Sequence, residues 1–339
     1  MSPVEAQCTL WMTQVFRALQ KLISEPMLMK IQKKSVQGSV ESHKHIGKVS
    51  HIAMYPVKGC ARVDLQSARI GRNGLEGDRK YMVVREETGA DGVHHFVTQR
   101  DKRSREEARP QSLATLALIK PEIVHGELGL TWMGSDPIAV ARDQHTGDEV
   151  RVEIHKEVVS AVDQGEPVAR WLSQHLEVRV RLVEAGGSFH RLARQNYAQN
   201  TNQIMFHDAY PIHWVMQESV DELSKIAKRE IPWTRFRPNI VGEGGEPQVE
   251  HEIYEGKIGE VSFVQPKPCT RCPVTTVDQE AGERRGNEPL TSLNDYKRWD
   301  KTGEVLFGEN ILPSQSGLIR VGDDIFELSA RDPPLVYGT

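Results

Sequence analysis

Lys267-Pro268-Cys269-Thr270-Arg271-Cys272-Pro273-Val274-Thr275-Thr276-Val277-Asp278 sets two cysteines three positions apart, around a threonine and an arginine, in a stretch with little helix propensity. It holds half of the chain's four cysteines; the others, Cys8 and Cys60, stand far away in sequence. A thiolate is the form of cysteine that ligates soft or high-valent metals or attacks electrophiles, and a neighbouring guanidinium favours that form. Taken alone, C-x-x-C fits half of a zinc site, a redox disulfide, or one metal-binding or nucleophilic cysteine with an accessory neighbour. Its bland reading is two small buried hydrophobes. Structural zinc usually needs four Cys/His ligands, and Cys8 and Cys60 form no second C-x-x-C; His207 and His251 are the histidines considered for completing a site. A thioredoxin-type pair opens a helix, whereas Pro273 to Val277 reads as a strand, which weakens the redox reading.

Working outward, 339 residues suffice for two medium domains, each with its own core. A formal net charge of -4 gives no bulk reason to expect nucleic-acid binding. Four cysteines in this length are too few for a disulfide scaffold and fit a reducing compartment. No window supplies the roughly 20 apolar residues of a spanning helix. The nearest approach, residues 10–23, is interrupted by polar residues at helical spacing; Trp11, Val15, Leu19 and Leu22 share one face of an amphipathic helix. Residues 1–45 carry an excess of Lys and Arg, so the expectation is a packing extension, with targeting or membrane-surface contact as its alternative. The chain is expected to be cytoplasmic, or mitochondrial or membrane-peripheral if that extension directs it.

From Ile46 onward short apolar runs alternate with turn residues, predicting many strands. Strands are expected over 51–57, 80–85, 113–119, 128–132, 150–154, 178–183, 237–241, 258–264, 274–277 and 318–328. Pro167 sits in the first turn of a predicted helix whose face is Val168, Trp171, Leu172 and Leu176. A second helix is expected after Ser219, where Ser219-Val220-Asp221-Glu222 has the form of a capping box. The economical domain division lies near residue 185, giving an extension over 1–45 and domains over 46–185 and 186–335.

Three further segments bear on the thiols. Tyr55-Pro56-Val57-Lys58-Gly59-Cys60 ends in a glycine turn beside a lysine, Gly77-Asp78-Arg79 opens a strand, and Arg235-Phe236-Arg237-Pro238-Asn239 opens another. Lysine, arginine and free backbone N–H groups at strand ends make an anion or phosphate site. The alternative for each is an ordinary surface ion pair.

In this order, YPVKGC (55–60), GLEGDRKYMVV (74–84), HDAYPI (207–212), RFRPNIVG (235–242), CTRCPVTTVD (269–278), EPLTSL (288–293), LFGEN (306–310) and GLIRVGD (317–323) resemble the MOSC superfamily, and within it the mitochondrial amidoxime-reducing components and their bacterial relatives. The joint occurrence of RFRPNIV and CTRC…TTVD is the specific part. The resemblance implies an α+β, predominantly β architecture: a MOSC β-barrel packed with a MOSC N-terminal β-rich domain, with a molybdenum cofactor in the cleft between them. It implies Cys272 as the molybdenum ligand and an accessory role for Cys269. Thr270 and Arg271 would contact the cofactor from the same loop, and Lys58, Gly59, Arg79, Arg237 and Asn239 would hold pterin and phosphate. Asp208, Ala209, Tyr210 and Asn310 match further cofactor-proximal positions, with Asp208 as a candidate for orientation or proton delivery. Gly59 and Ala209 depart from the pattern, Gly59 standing where relatives commonly carry serine.

The function so implied is molybdenum-dependent reduction of N-hydroxylated compounds (amidoximes, hydroxylamines, N-hydroxylated bases) to amines or amidines. No plant-type ferredoxin cysteine run is present, so electrons are expected from a separate protein, a b-type cytochrome with its flavin reductase in a eukaryote. The rival is a carrier or sulfur-handling MOSC protein, since MOSC domains also occur in cofactor sulfurases; pyridoxal phosphate is associated with the superfamily only at that broad level.

Overall fold

The computed structural model describes residues 43–99, 113–140, 147–194, 202–296 and 303–332. The amphipathic helix expected over 10–23, nearly all of the 1–45 extension, and Cys8 lie outside them.

Two closed sheets dominate. The larger is a seven-stranded barrel: Ile212–Met216 pairs in parallel with Ile240–Glu243, which continues through Lys44–Met54, Asp324–Ala330, Ile253–Ile258, Val261–Val264 and Leu306–Pro313 back to Ile212–Met216. Its interior is filled by inward-facing residues such as Ile52, Trp214, Phe263, Ile311 and Ile325. Among the described residues, closure pairs both edges of the sheet, edges that would otherwise be open to pairing with other chains. Lys44–Met54 enters this barrel although it precedes everything in the other one, so its 11 residues join the first described strand to the last. Two bulges, at His45/Gly47 and Val49/His51, bend the strand to follow the curvature.

The smaller barrel joins Tyr81–Thr88, His94–Phe96, Glu149–Ile154, Glu157–Asp163 and Val180–Glu184, the last closing on the first; Val57–Lys58 adds a short parallel strand beside Tyr81. Tyr81–Thr88 begins with four consecutive buried residues because both of its faces are covered. The helix expected around Pro167 is present as Glu166–Leu176, and Val168, Leu172 and Leu176 pack with Val180 and Leu182. Ser173 Oγ fastens it to the sheet, accepting from Val180 N at 3.0 Å. A three-stranded sheet, Ile119–Val124, Glu127–Trp132 and Ile138–Val140, lies alongside, with His125-Gly126 as the expected hairpin tip.

Several local expectations are corrected. Ser219 does not cap its helix: Gln217–Ile226 starts earlier, and Ser219 is buried inside it, donating to Glu250 Oε2 at 2.9 Å. The partner carboxylate satisfies the hydroxyl better than an exposed helix end would. The apolar run at 113–118 is a 3-10 helix, and only Ile119 begins a strand. The strand expected over 237–241 starts at Ile240, because Arg237 is left-handed, with φ of 53°. The strand expected over 274–277 is instead a 3-10 turn, Pro273–Thr276. Proline presets the turn at its first position, and Thr275 satisfies the Cys272 carbonyl through both N–H and Oγ1.

Candidate functional site: a basic cleft between two closed sheets

The ends of strands from both barrels converge on a cavity of about 380 Å³. All twelve residues singled out in the sequence line it: Lys58, Gly59 and Arg79 from the small barrel's side; Asp208, Ala209 and Tyr210 from the connection; Arg237, Asn239, Thr270, Arg271, Cys272 and Asn310 from the large barrel's side. Phe96, Gln99, His155, Arg194, His213 and Glu304 line it too and escaped the sequence reading, being single residues from strand ends and turns without motif spacing to mark them; His207, Phe236 and Lys267 also line it and lie inside the segments quoted above, His207 having been weighed only as a zinc ligand.

Asp78, only 1% exposed, organises the floor. Its Oδ1 accepts from Tyr55 N at 2.7 Å; its Oδ2 accepts from Arg79 Nη1 at 2.5 Å, His207 Nε2 at 3.1 Å and Asn239 Nδ2 at 3.1 Å. Burial by itself would raise this carboxyl, but Arg79 and His207 more than offset it and hold it below the usual range. The Gly77-Asp78-Arg79 motif is therefore one buried anion placing three cleft residues. Asn239 also donates to Ala53 O at 3.1 Å, bridging to the first strand of the large barrel.

Arg79 and Arg237 both take left-handed backbone, with φ of 48° and 53°. Each guanidinium carbon lies 4.3 Å from the centroid of the Tyr55 ring, so one aromatic ring carries two cations. Arg237 is further fixed by donating to Gln279 Oε1 at 2.8 Å and Cys60 O at 2.7 Å. Burial brings its side chain down to about 10, so it remains a cation at neutral pH. Gln279 and Gln99 exchange hydrogen bonds, and Gln99 Nε2 reaches the Gly59 carbonyl at 2.6 Å, extending the support to the lysine turn. Gly59 has φ of 85°, and an added Cβ there would sit 3.3 Å from Leu116 Cδ1. A serine would thus be strained where glycine is not.

Lys58 Nζ donates to Phe206 O at 2.8 Å and pairs with Asp208 Oδ1. His155 Nε2 donates to that same oxygen at 2.8 Å. The Asp208 side chain stays open to the cleft, 65% exposed, while Lys58 is buried beneath it. Burial alone would raise Asp208, but Lys58 and His155 prevail and hold it well below the carboxylate range. Arg191 anchors this connection through the His207 and Asp208 carbonyls.

The thiol loop is held from behind. Asn310 Nδ2 donates to the Lys267 and Pro268 carbonyls at 3.1 and 3.2 Å. Arg271 spreads across the loop: Nη1 reaches Cys269 Sγ at 2.9 Å and His213 Nε2 at 3.1 Å, and Nη2 reaches Phe236 O at 2.7 Å. Since a guanidinium only donates, His213 Nε2 must accept, and its Nδ1–H donates to Glu309 O at 3.1 Å. His213 is accordingly neutral, with burial first and Arg271 second pushing it well below the usual histidine value. Cys60 is fully buried, its thiol pushed up to about 12, which removes it from chemistry. Burial also raises Cys269, against the pull of Arg271. Cys272 lines the cleft and has no hydrogen bond to its sulfur among the described residues. Those residues also contain no cluster of three His, Cys, Asp or Glu able to hold a metal without outside ligands.

The lining includes six cationic side chains, Lys58, Arg79, Arg194, Arg237, Lys267 and Arg271, against two carboxylates, Asp208 and Glu304. Two buried polar atoms on its wall lack partners among the described residues, the Arg271 Nε–H donor and the His207 Nδ1 lone pair. An excess of cations, a spare donor, a spare acceptor and one unengaged thiol suit a polyanionic heterocycle that carries a soft metal.

Two family models cover most of the chain: the MOSC N-terminal beta barrel domain over residues 46–179 and the MOSC domain over residues 201–326. The chain is 29% identical over 301 residues to mitochondrial amidoxime reducing component 2 of Rattus norvegicus, covering 84% of each protein. It is 27% identical over 300 residues to mitochondrial amidoxime-reducing component 1 of Homo sapiens, covering 84% of this chain and 83% of that protein. A third relative, molybdenum cofactor sulfurase of Drosophila grimshawi, is 28% identical over 287 residues, which are 81% of this chain and 34% of the sulfurase. With a small closed sheet followed by a seven-stranded barrel, and both family models matched in that order, the chain belongs to the MOSC superfamily.

Proposed function

We propose that this chain binds the molybdenum cofactor in the basic cleft and reduces N-hydroxylated compounds, such as amidoximes, hydroxylamines and N-hydroxylated bases, to amidines or amines. The observation that carries the reading is Cys272: a thiol without a partner among the described residues, on the wall of a cleft whose described lining holds three times as many cations as carboxylates. The names of the amidoxime-reducing relatives support the reaction class.

When bound, the cofactor supplies the two-electron chemistry that removes the oxygen of an N–OH group. Cys272 provides a thiolate ligand to the metal. Arg79, Arg237 and Arg271 hold the anionic parts of the cofactor through fixed N–H forks, and Tyr55 and Asp78 keep two of those forks from rotating. Lys58 and the backbone of Gly59 provide further donors. Asp208 serves as an orienting anion, because a carboxylate held far below the usual range has no proton to give at neutral pH. Electrons come from a separate protein.

The sulfurase match favours a second reading, a MOSC protein that holds or delivers cofactor without turnover. Molybdenum analysis of protein from a cofactor-competent host, followed by benzamidoxime reduction with a chemical donor, separates the two. Metal with turnover is the expected result; full metal occupancy without turnover favours the carrier, and absence of molybdenum contradicts both. No helix among the described residues is long and apolar enough to cross a membrane. The names of the amidoxime-reducing relatives favour a mitochondrial location over a cytoplasmic one, which fractionation of a fusion with and without residues 1–45 tests.

A further inference from the structure

We infer that His155 is the residue that delivers protons to the departing oxygen in this cleft. The inference rests on the N-hydroxy reductase reading. Removing that oxygen consumes two electrons and two protons: the N–O bond breaks, the nitrogen takes up one proton, and the OH group takes up the other and leaves as water. The electrons come from the donor protein, or from a chemical donor in its place. A proton source must therefore touch both the cleft and bulk water.

Three histidines line the cavity. His213 is committed on both nitrogens, to Glu309 O and to Arg271. His207 has a side chain only 4% exposed, behind Arg79 and tied to Asp78. His155 alone among them is reachable, with its side chain 22% exposed. It sits in the tight turn between Glu149–Ile154 and Glu157–Asp163, with φ of 50°, which projects the ring from the small barrel into the cleft. Phe96 packs against it at 5.2 Å between centroids, and Asp208 Oδ1 accepts from Nε2, leaving Nδ1 without a partner among the described residues.

An imidazole oriented through one nitrogen by a carboxylate, with the other free, is the arrangement of a general acid that recharges from solvent. The charged groups around it are Asp208, Lys58 on the same carboxylate oxygen, Arg191 behind the Asp208 carbonyl, and Lys156 and Glu157 in its own turn. The imidazolium gives a proton to the oxygen as the N–O bond breaks and is reprotonated by water for the next transfer. Nothing in the sequence marked this residue, since neither its strand nor its turn belongs to a recognisable motif.

His155→Gln, with molybdenum content and melting temperature unchanged, is expected to lower kcat for benzamidoxime about a hundredfold. Independently of any variant, diethyl pyrocarbonate should modify His155 in the wild-type protein while sparing His207 and His213, as read by peptide mass spectrometry. Benzamidoxime should slow that modification, and turnover should fall in step with it. Wild-type kcat in His155→Gln, or full turnover after His155 is modified, overturns the inference while Cys272→Ser remains inactive. Retained turnover in Cys272→Ser would instead contradict the reading of the site itself.

Discussion

Arg271 Nη1 lies 2.9 Å from Cys269 Sγ, tying the first thiol of the C-x-x-C pair into the protein while the second is left for the cleft. Two cysteines with the same sequence neighbourhood thereby acquire different chemistry. A serine at 269 keeps an acceptor for the guanidinium, so Cys269→Ser should retain molybdenum and lose less than about 1 kcal/mol of stability. Cys269→Val removes the acceptor and should cost about 1–3 kcal/mol, read from urea midpoints. Loss of metal in the serine variant would show that Cys269 does more than brace the loop.

Asp78 is the most consequential residue outside the list of direct contacts. Asp78→Asn leaves Arg79 buried beside a neutral partner and loosens His207 and Asn239 together. Breaking a buried pair from one side costs about 3–5 kcal/mol, so a large fall in the unfolding midpoint is expected, with cofactor affinity falling alongside. A midpoint within 1 °C of the wild type would remove Asp78 from the centre of the site.

Two neutral histidines give the stability a defined pH dependence. Burial holds His207 below the ordinary value despite Asp78, and burial with Arg271 holds His213 well below it. In the unfolded chain both titrate near about 6.5, so below that pH the unfolded state binds more protons than the folded one. Their contribution is present above that value and is lost as pH falls toward the depressed folded values. Asp78, also depressed, adds a further loss at lower pH, through the carboxylate range. Urea midpoints should be flat from pH 8 to 7 and decline below about 6.5, with a shallower decline in His213→Gln. A midpoint that rises on acidification would contradict the neutral assignment.

Gly59 stands where the resemblance implies serine, and its turn predicts the outcome of making that change. At φ of 85°, with Leu116 Cδ1 3.3 Å from the added Cβ, Gly59→Ser should cost about 1–2 kcal/mol even though it supplies a hydroxyl to the cleft. Differential scanning calorimetry decides it; a more stable serine variant would mean the turn can relax.

The motifs made the site legible, but not its mechanics. The strand-end runs around Lys58, Arg79, Arg237 and Cys272 were readable because each pairs a turn with a cation or thiol, and these converge in the cleft. The left-handed backbone at Arg79 and Arg237 was not, because arginine carries no local signal for positive φ; tertiary contacts with Tyr55 and Asp78 impose it. The alternation that suggests a strand at 274–277 is broken by a proline and two threonines that fold back on the preceding carbonyls, Thr275 on Cys272 O and Thr276 on Pro273 O. Ser219 shows the same limit: a capping-box pattern gave way to a buried carboxylate 31 residues away. The pairing of Lys44–Met54 with Asp324–Ala330 in the large barrel joins strands about 280 residues apart, which local periodicity cannot reveal. His155 and His213 owe their roles to partners 53 and 96 residues distant.

The central claim is that Cys272 is the metal ligand. Its most direct test measures molybdenum per chain and benzamidoxime turnover in Cys272→Ser beside Cys269→Ser and the wild type, all purified from one cofactor-competent host. The account predicts a folded Cys272→Ser protein with turnover abolished and an altered or absent molybdenum signature, while Cys269→Ser stays close to wild type. Equal losses in the two variants, with zinc in place of molybdenum, would contradict it.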